Sequence, residues 1–380
     1  MKIFSRKTII FNMILALILA GCTGGSSRYL RFEKGKKQPI KLLIAKDAIS
    51  FEIVINSDFK IEAAGVSSFK AKGLKAEIEN HSIIIDKKSY GNRLKILPDN
   101  NIFILNGSKY RGNLALYIED GTLNAIEDFT MEDYLYGVVG MEMSGSSPIE
   151  ALKAQAVAAR TFAYYEMLSK STKEYDLDNL PQAQAYSGME RENLNSIEAV
   201  NLTFGEIMRY KGQPIFAAFS ANCGGYTEDN KEVFGYKLPY LQAVPCPFCK
   251  GYQHSSWQEE IQTSCIIERL KRKGFDAKTI SSIEITDTSK AGRVKQIAII
   301  TDKGKIMMPT NDFRLTLGSD KFKSARFTTR SKGANILFTG KGWGHGVGMC
   351  QDGADNMARV GNSYRRILTR YYAGIELGTK

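Results

Sequence analysis

Cys246-Pro247-Phe248-Cys249 spaces two thiols as a metal knuckle or a redox pair does, and no thioredoxin-like βαβ pattern surrounds it. Cys223, just before Gly224-Gly225, and Cys350, just after a glycine-rich run, are the candidates to complete a tetrahedral four-thiolate zinc site, with His254 as the alternative fourth ligand. Cys265 falls in an apolar helical stretch and reads as core. Once Cys22 is set aside (below), five cysteines remain, an odd number that cannot all pair. A Cys246–Cys249 or longer-range disulfide, or free thiols, stand beside zinc as alternatives, because an exported chain meets oxidising conditions.

Glu142 lies between Met141 and Met143, with Gly140 before and Gly145 after. Apolar surroundings disfavour a charged carboxyl, so such a group keeps its proton nearer neutral pH and can act as a general acid; an exposed Glu beside Met has no such role. Three histidines exclude a His-rich metal centre. His81 sits in a β-rich stretch and reads as structural, whereas His345 lies in Gly340-Lys341-Gly342-Trp343-Gly344-His345-Gly346-Val347-Gly348-Met349. Alternating glycines clear the space around its ring for a ligand or another backbone; a tight turn with a satisfied His is the alternative. There is no Gly-x-Ser-x-Gly, Walker loop or dinucleotide fingerprint, so nucleotide enzymes fall away.

The elements that carry these groups are legible in part. Short β-branched runs from Ile40 to about Asp120, broken by turns such as Asn56-Ser57-Asp58, predict a β-rich region, and Tyr110–Glu119 with Leu123–Ile126 predicts a hairpin. Met131–Val139 predicts a short helix leading to Glu142. Ser147-Pro148-Ile149-Glu150 predicts a helix start with Ser147 as cap, and the alanine-rich body Ile149–Leu168 predicts a buried central helix. Lys153 and Arg160, two turns apart, share a face of it, either as donors aimed into a cleft or as a solvated stripe. Further helices are expected over Glu190–Thr203, Ser264–Lys273 and Ser363–Tyr372, and a hairpin joins Ile207–Tyr210 to Ile215–Ser220.

Lys2, Arg6 and Lys7 precede an apolar run that ends in Leu19-Ala20-Gly21-Cys22. Basic head, short apolar stretch and small residues before a cut predict an export signal over 1–21, too short for a comfortable membrane span. Leu-Ala-Gly-Cys resembles a bacterial lipobox, whose Cys, here Cys22, is acylated. Residues 22–39 read as a flexible basic linker beside an anionic membrane. The protein is therefore expected outside the cytoplasm, lipid-anchored, facing periplasm or wall.

At 380 residues, 43% hydrophobic and 24% charged, the chain is globular in composition. Its net charge of +12 suits an anionic wall polymer, lipid or nucleic acid, and export removes nucleic acid as a partner.

Two long motifs carry a family resemblance. Glu132–Met143 with Glu150–Thr161, then Gly342–Ala354 with Ile367-Leu368 and Tyr371-Tyr372, resemble the signatures of the SpoIID/LytB family. The likeness implies an α+β fold, with a β-rich lead-in over 40–125 and a SpoIID/LytB-like catalytic domain over 126–380. It implies peptidoglycan glycan strands as substrate, cut by a lytic transglycosylase, or in LytB-type relatives the enhancement of a cell-wall amidase. It places the essential acid on Glu142 and cationic residues on Lys153 and Arg160, with His345 and Gln351 as cleft or support residues. Some members carry zinc near the cleft, and Cys350 stands where many relatives have Ser. With four protein ligands such a zinc would be structural. One carboxylate suffices for a transglycosylase, because the muramic acid 6-hydroxyl is a nucleophile within the substrate, whereas hydrolases normally need two.

Overall fold

The computed structural model describes residues 37–63, 65–169, 174–179, 184–319 and 321–379. The expected export signal, Cys22 and nearly all of the basic linker lie outside the described residues. No described helix is long and apolar enough to cross a membrane.

Period-two alternation builds the first part of the chain. In Ser50–Ile55, Phe51, Ile53 and Ile55 are buried while Glu52 and Val54 face out. Two sheets result. One runs, in order, Leu177–Asp178, Pro39–Ala48, Thr122–Thr130, Asn113–Glu119, Arg93–Pro98, Phe59–Glu62 and Val66–Phe69; the other runs Ser108–Arg111, Ile102–Leu105, Ser50–Ile55, Lys72–Glu79, Ser82–Ile85 and Lys88–Ser89. Phe51, Ile53 and Phe103 from the second sheet share one core with Phe59, Ile96 and Leu114 from the first, so the two sheets form a sandwich. The expected hairpin is present, with Asn113–Glu119 paired to Thr122–Thr130.

Strand Thr122–Thr130 runs directly into α1 (Met131–Glu142), so no linker separates sandwich from helices. Thr130 caps α1 by accepting the Asp133 amide, and Glu132 and Asp133 sit where the helix dipole favours acids. Helix α2 (Ile149–Ser169) is the buried alanine-rich helix expected; α1, α3 (Leu194–Leu202), α7 (Gln351–Arg359) and α8 (Tyr364–Tyr371) pack around it. Its first bonded carbonyl is that of Pro148, which accepts the Leu152 amide at 3.2 Å, so Ser147 stands one residue outside the cap expected of it. Helix α3 starts later than the pattern suggested because Asn193 and Ser196 form a capping box.

The hairpin after Ile207–Tyr210 is shorter than expected. Only Gln213-Pro214 returns along it, while Phe219-Ser220 pairs in parallel with Met349-Cys350. Two further sheets, Trp257–Gln262/Asn335–Gly340/Phe327–Lys332 and Ile280–Thr288/Val294–Thr301/Gly304–Pro309, enclose a separate core with α5 (Thr263–Lys271) and α6 (Thr310–Leu317). Between them in chain order and the sandwich lies the short α4 (Asn230–Phe234). The 126–380 stretch, expected as one domain, thus holds two cores, with residues 257–340 inserted between Cys249 and Cys350.

Candidate active site and thiol cluster

Glu142 is the last residue of α1, and its two carboxylate oxygens are held from two directions. Oε1 accepts the Ala185 amide at 3.1 Å and Oε2 accepts Gln351 Nε2 at 3.1 Å. Burial pushes the Glu142 carboxyl above its ordinary value, and these two donors pull the other way. Gln351 opens α7 and its Nε2 also donates to Gln155 Oε1, at 3.3 Å, on α2. Gln155 is fully buried, and its own Nε2 has no partner among the described residues. Glycine makes the approach from the 184–193 segment possible: a Cβ on Gly140 would lie 2.0 Å from the Arg191 carbonyl oxygen.

The two cations expected in a cleft are not there. Arg160 is fully buried. It grips Glu132 through Nε at 3.1 Å and Nη2 at 2.5 Å, and donates to the Val200 and Glu206 carbonyls, so α1, α2 and the end of α3 are bound together. Lys153 Nζ lies 2.6 Å from Glu150 Oε1 and 4.4 Å from the centre of the Tyr364 ring, tying α2 to α8. The helix packs on several sides, so sharing a face by sequence spacing did not mean facing solvent or substrate. His345 is likewise held by the fold: Nδ1 accepts the Val347 amide at 3.0 Å, the Phe219 backbone holds the ring, and Phe234 lies against it. Burial, with Arg293 nearby, lowers its pKa to about 4, so it is neutral and braces the glycine-rich segment.

The thiols expected together are together. Sγ atoms of Cys223, Cys246, Cys249 and Cys350 all lie within 4.8 Å of one another, all four residues are buried, and all are unpaired. Cys223 Sγ and Cys249 Sγ are 3.6 Å apart. Tetrahedral zinc with bonds of about 2.3 Å sets sulfurs about 3.8 Å apart, whereas a disulfide needs about 2.05 Å. The cluster also receives the Cys223 amide on Cys350 Sγ at 3.3 Å and contacts the Tyr371 hydroxyl, 3.1 Å from Cys246 Sγ. The four thiols shift one another in opposite directions: hydrogen bonding from Cys223 pulls Cys246 and Cys249 down, while hydrogen bonding to Cys246 pushes Cys223 up and burial pushes Cys350 up. His254 is not part of the cluster: it sits 3.7 Å from Asp352 and edge-on to Trp343 at 4.7 Å.

A family model described as Stage II sporulation protein matches residues 119–210, and a model for a domain of unknown function matches residues 249–348. An uncharacterized protein of Brachyspira hyodysenteriae is 41% identical over 276 residues, covering 72% of this chain and 74% of its own. Stage II sporulation protein D of Bacillus subtilis is 32% identical over 268 residues, covering 67% of this chain and 76% of its own. The chain belongs to the SpoIID/LytB family. The amidase enhancer of Bacillus subtilis is 31% identical over 371 residues, 84% of this chain, and the chain spans 51% of that protein's length.

Within this SpoIID/LytB chain the two motifs meet at Gln351, whose side-chain amide donates to Glu142 and to Gln155, 209 and 196 residues away in the chain. Cys350 caps α7 immediately before Gln351, so the thiol cluster and the carboxyl share a scaffold. Nothing in the sequence marks Ala185, whose contribution is a backbone amide in a segment without periodicity. Gln155 and Glu132 were legible only as polar residues in apolar helices. Arg160→Met is expected to destabilise the chain by about 3–5 kcal/mol, because Glu132 would be left buried without its partner; urea denaturation measures this.

Proposed function

We propose that the protein is a lytic transglycosylase of peptidoglycan glycan strands, with Glu142 as its single general acid and base. The observation that carries this reading is a carboxyl, raised by burial, held by two donors at the end of α1. The Glu142 proton passes to the oxygen of the MurNAc–GlcNAc bond as C1–O breaks. The 6-hydroxyl oxygen of the same MurNAc then bonds to C1, and its proton returns to the Glu142 carboxylate, leaving a 1,6-anhydro end. No water enters the products, which is why one carboxyl is enough. Gln351 and the Ala185 amide hold the carboxylate oxygens in place through both transfers.

Incubating purified, peptide-free glycan with the chain and analysing the ends by mass spectrometry tests the reading. Anhydro ends support it; reducing ends mean hydrolysis instead. Gln351→Leu adds a pH test. Its amide favours the charged carboxylate, so losing it raises the Glu142 pKa further; since the protonated acid is the active form, the alkaline limb of the rate profile is expected to move to higher pH.

A second reading is favoured by the similarity to an amidase enhancer, namely a glycan-binding partner of a cell-wall amidase without turnover. Stimulation of amidase activity by a chain that leaves no new glycan ends selects it. We further propose that Cys223, Cys246, Cys249 and Cys350 hold a structural zinc, which would tie the 221–226 loop, the 246–249 turn and the start of α7 together. An export signal with acylation at Cys22 would place the chain on a membrane facing the wall, where its substrate lies; mass analysis of the mature N-terminus tests that placement.

A further inference from the structure

Arg293 immediately precedes strand Val294–Thr301 of the inserted 257–340 unit and is 3% exposed. A buried guanidinium needs a counter-charge. Its Nη2 donates to the Cys223 carbonyl at 3.0 Å and its Nη1 to the Gly344 carbonyl at 3.4 Å, while Nε has no partner. It forms no ion pair among the described residues. Glu228 faces it and supplies one negative charge, while its Oε2 accepts the Ser289 hydroxyl and its Oε1 the Asp229 amide. A second cation, Arg326, faces it too, with an unpartnered Nη1. The other ionisable groups in its field are Cys223 and Cys350 of the cluster and His345, whose imidazole offers no negative charge.

The guanidiniums of Arg293 and Arg326 share the one Glu228 carboxylate, so an excess positive charge remains on the flank of the thiol cluster, and neutral thiols or disulfides do not balance it. Four thiolates around a divalent ion carry a net charge of about −2. The guanidinium is aimed by a turn and not by a loose chain. The Ser289 amide donates to the Arg293 carbonyl at 2.8 Å, the Arg293 amide donates to the Ser289 hydroxyl at 3.1 Å, and the Glu228 amide donates to the Gly346 carbonyl at 2.8 Å. Gly346 packs against it: with φ of +77° a side chain there is strained, and a Cβ would lie 1.9 Å from Arg293 Nη2 and push the guanidinium aside.

We propose that Arg293 is the counter-charge of a metal–tetrathiolate centre, and that this pairing docks the inserted unit onto the glycine-rich segment 342–348. The proposal rests on the zinc reading above. Metal occupancy then sets how firmly the inserted unit and the segment leading to Gln351 are held.

The test uses the full chain, Zn²⁺ as probe, and the variants Arg293→Met and Arg293→Lys. Metal content is measured first, then zinc affinity by competition with a chromogenic chelator. Arg293→Met is expected to weaken zinc about 10–100-fold, as loss of an outer-shell partner does, with Arg293→Lys recovering most of the loss. Hydrogen exchange of the wild type needs no variant: stripping zinc is expected to speed exchange at 289–294 and 342–348 while the sandwich strands stay protected. Equal zinc affinity in Arg293→Met and wild type, an equal loss in the Met and Lys variants, or unchanged exchange on stripping overturns the proposal. A wild-type chain without zinc and with disulfides at the cluster overturns the zinc reading itself, and the proposal with it.

Discussion

Glu142→Gln is expected to lower glycan cleavage about 10²–10⁴-fold while glycan binding persists, as read by the yield of 1,6-anhydro ends beside a pull-down on insoluble glycan. The substitution keeps the shape and an acceptor for the Ala185 amide, but removes the only proton that the proposed reaction moves onto the leaving oxygen. A hydrolase with a second carboxylate would retain a base or nucleophile and show partial or altered chemistry. An amidase enhancer would be indifferent to the change. The same variant also has a stability signature. Burial raises the folded-state pKa of Glu142, so its stabilising contribution relative to the unfolded chain is present in acid and is lost as pH rises through that raised value. Glu142→Gln removes this dependence, and its melting temperature should gain on that of the wild type as pH increases.

The second large effect belongs to the thiol cluster. Cys350→Ala, or stripping with a strong chelator, is expected to remove several kcal/mol of stability and lower the melting temperature by roughly 10 °C. Three segments meet at these sulfurs, and the helix carrying Gln351 begins at one of them. Loss of the centre is therefore expected to reduce cleavage as well, through a misplaced Gln351, with the alkaline limb of the pH profile moving in the same direction as in Gln351→Leu. Cys265→Ser is the control: Cys265 lies on α5, outside the cluster, and is half-buried, so its change should leave both metal content and pH profile as they were. Calorimetry and metal analysis on the same samples separate the two substitutions.

Much of this site could be read in the residues. The glutamate between methionines, the cysteine spacings and the alanine-rich helix each have a local cause, because apolar neighbours, ligand spacing and helix propensity act over a few residues. The four thiols were expected as one set, and they are one set in space. The roles of Lys153 and Arg160 were not legible, since a helix spacing says which side chains share a face but not what that face meets. In the fold that face meets Glu132, Glu150 and Tyr364, and the cations serve packing. His254 was the alternative fourth ligand, yet its ring turns to Asp352 and Trp343.

By itself, the sequence determined the residue types available to this protein: a glutamate between methionines, cysteines at ligand-like spacing, an alanine-rich helix, and family membership through two long motifs. Tertiary structure alone decided which groups hold that carboxyl. Gln351 and the Ala185 amide reach Glu142 across 209 and 43 residues, and Arg293 arrives beneath the cluster from an inserted unit with its own core. The physical reason is that hydrogen bonds and counter-charges act over a few ångströms. Local pattern specifies the elements, and only their packing brings distant donors and charges within that range.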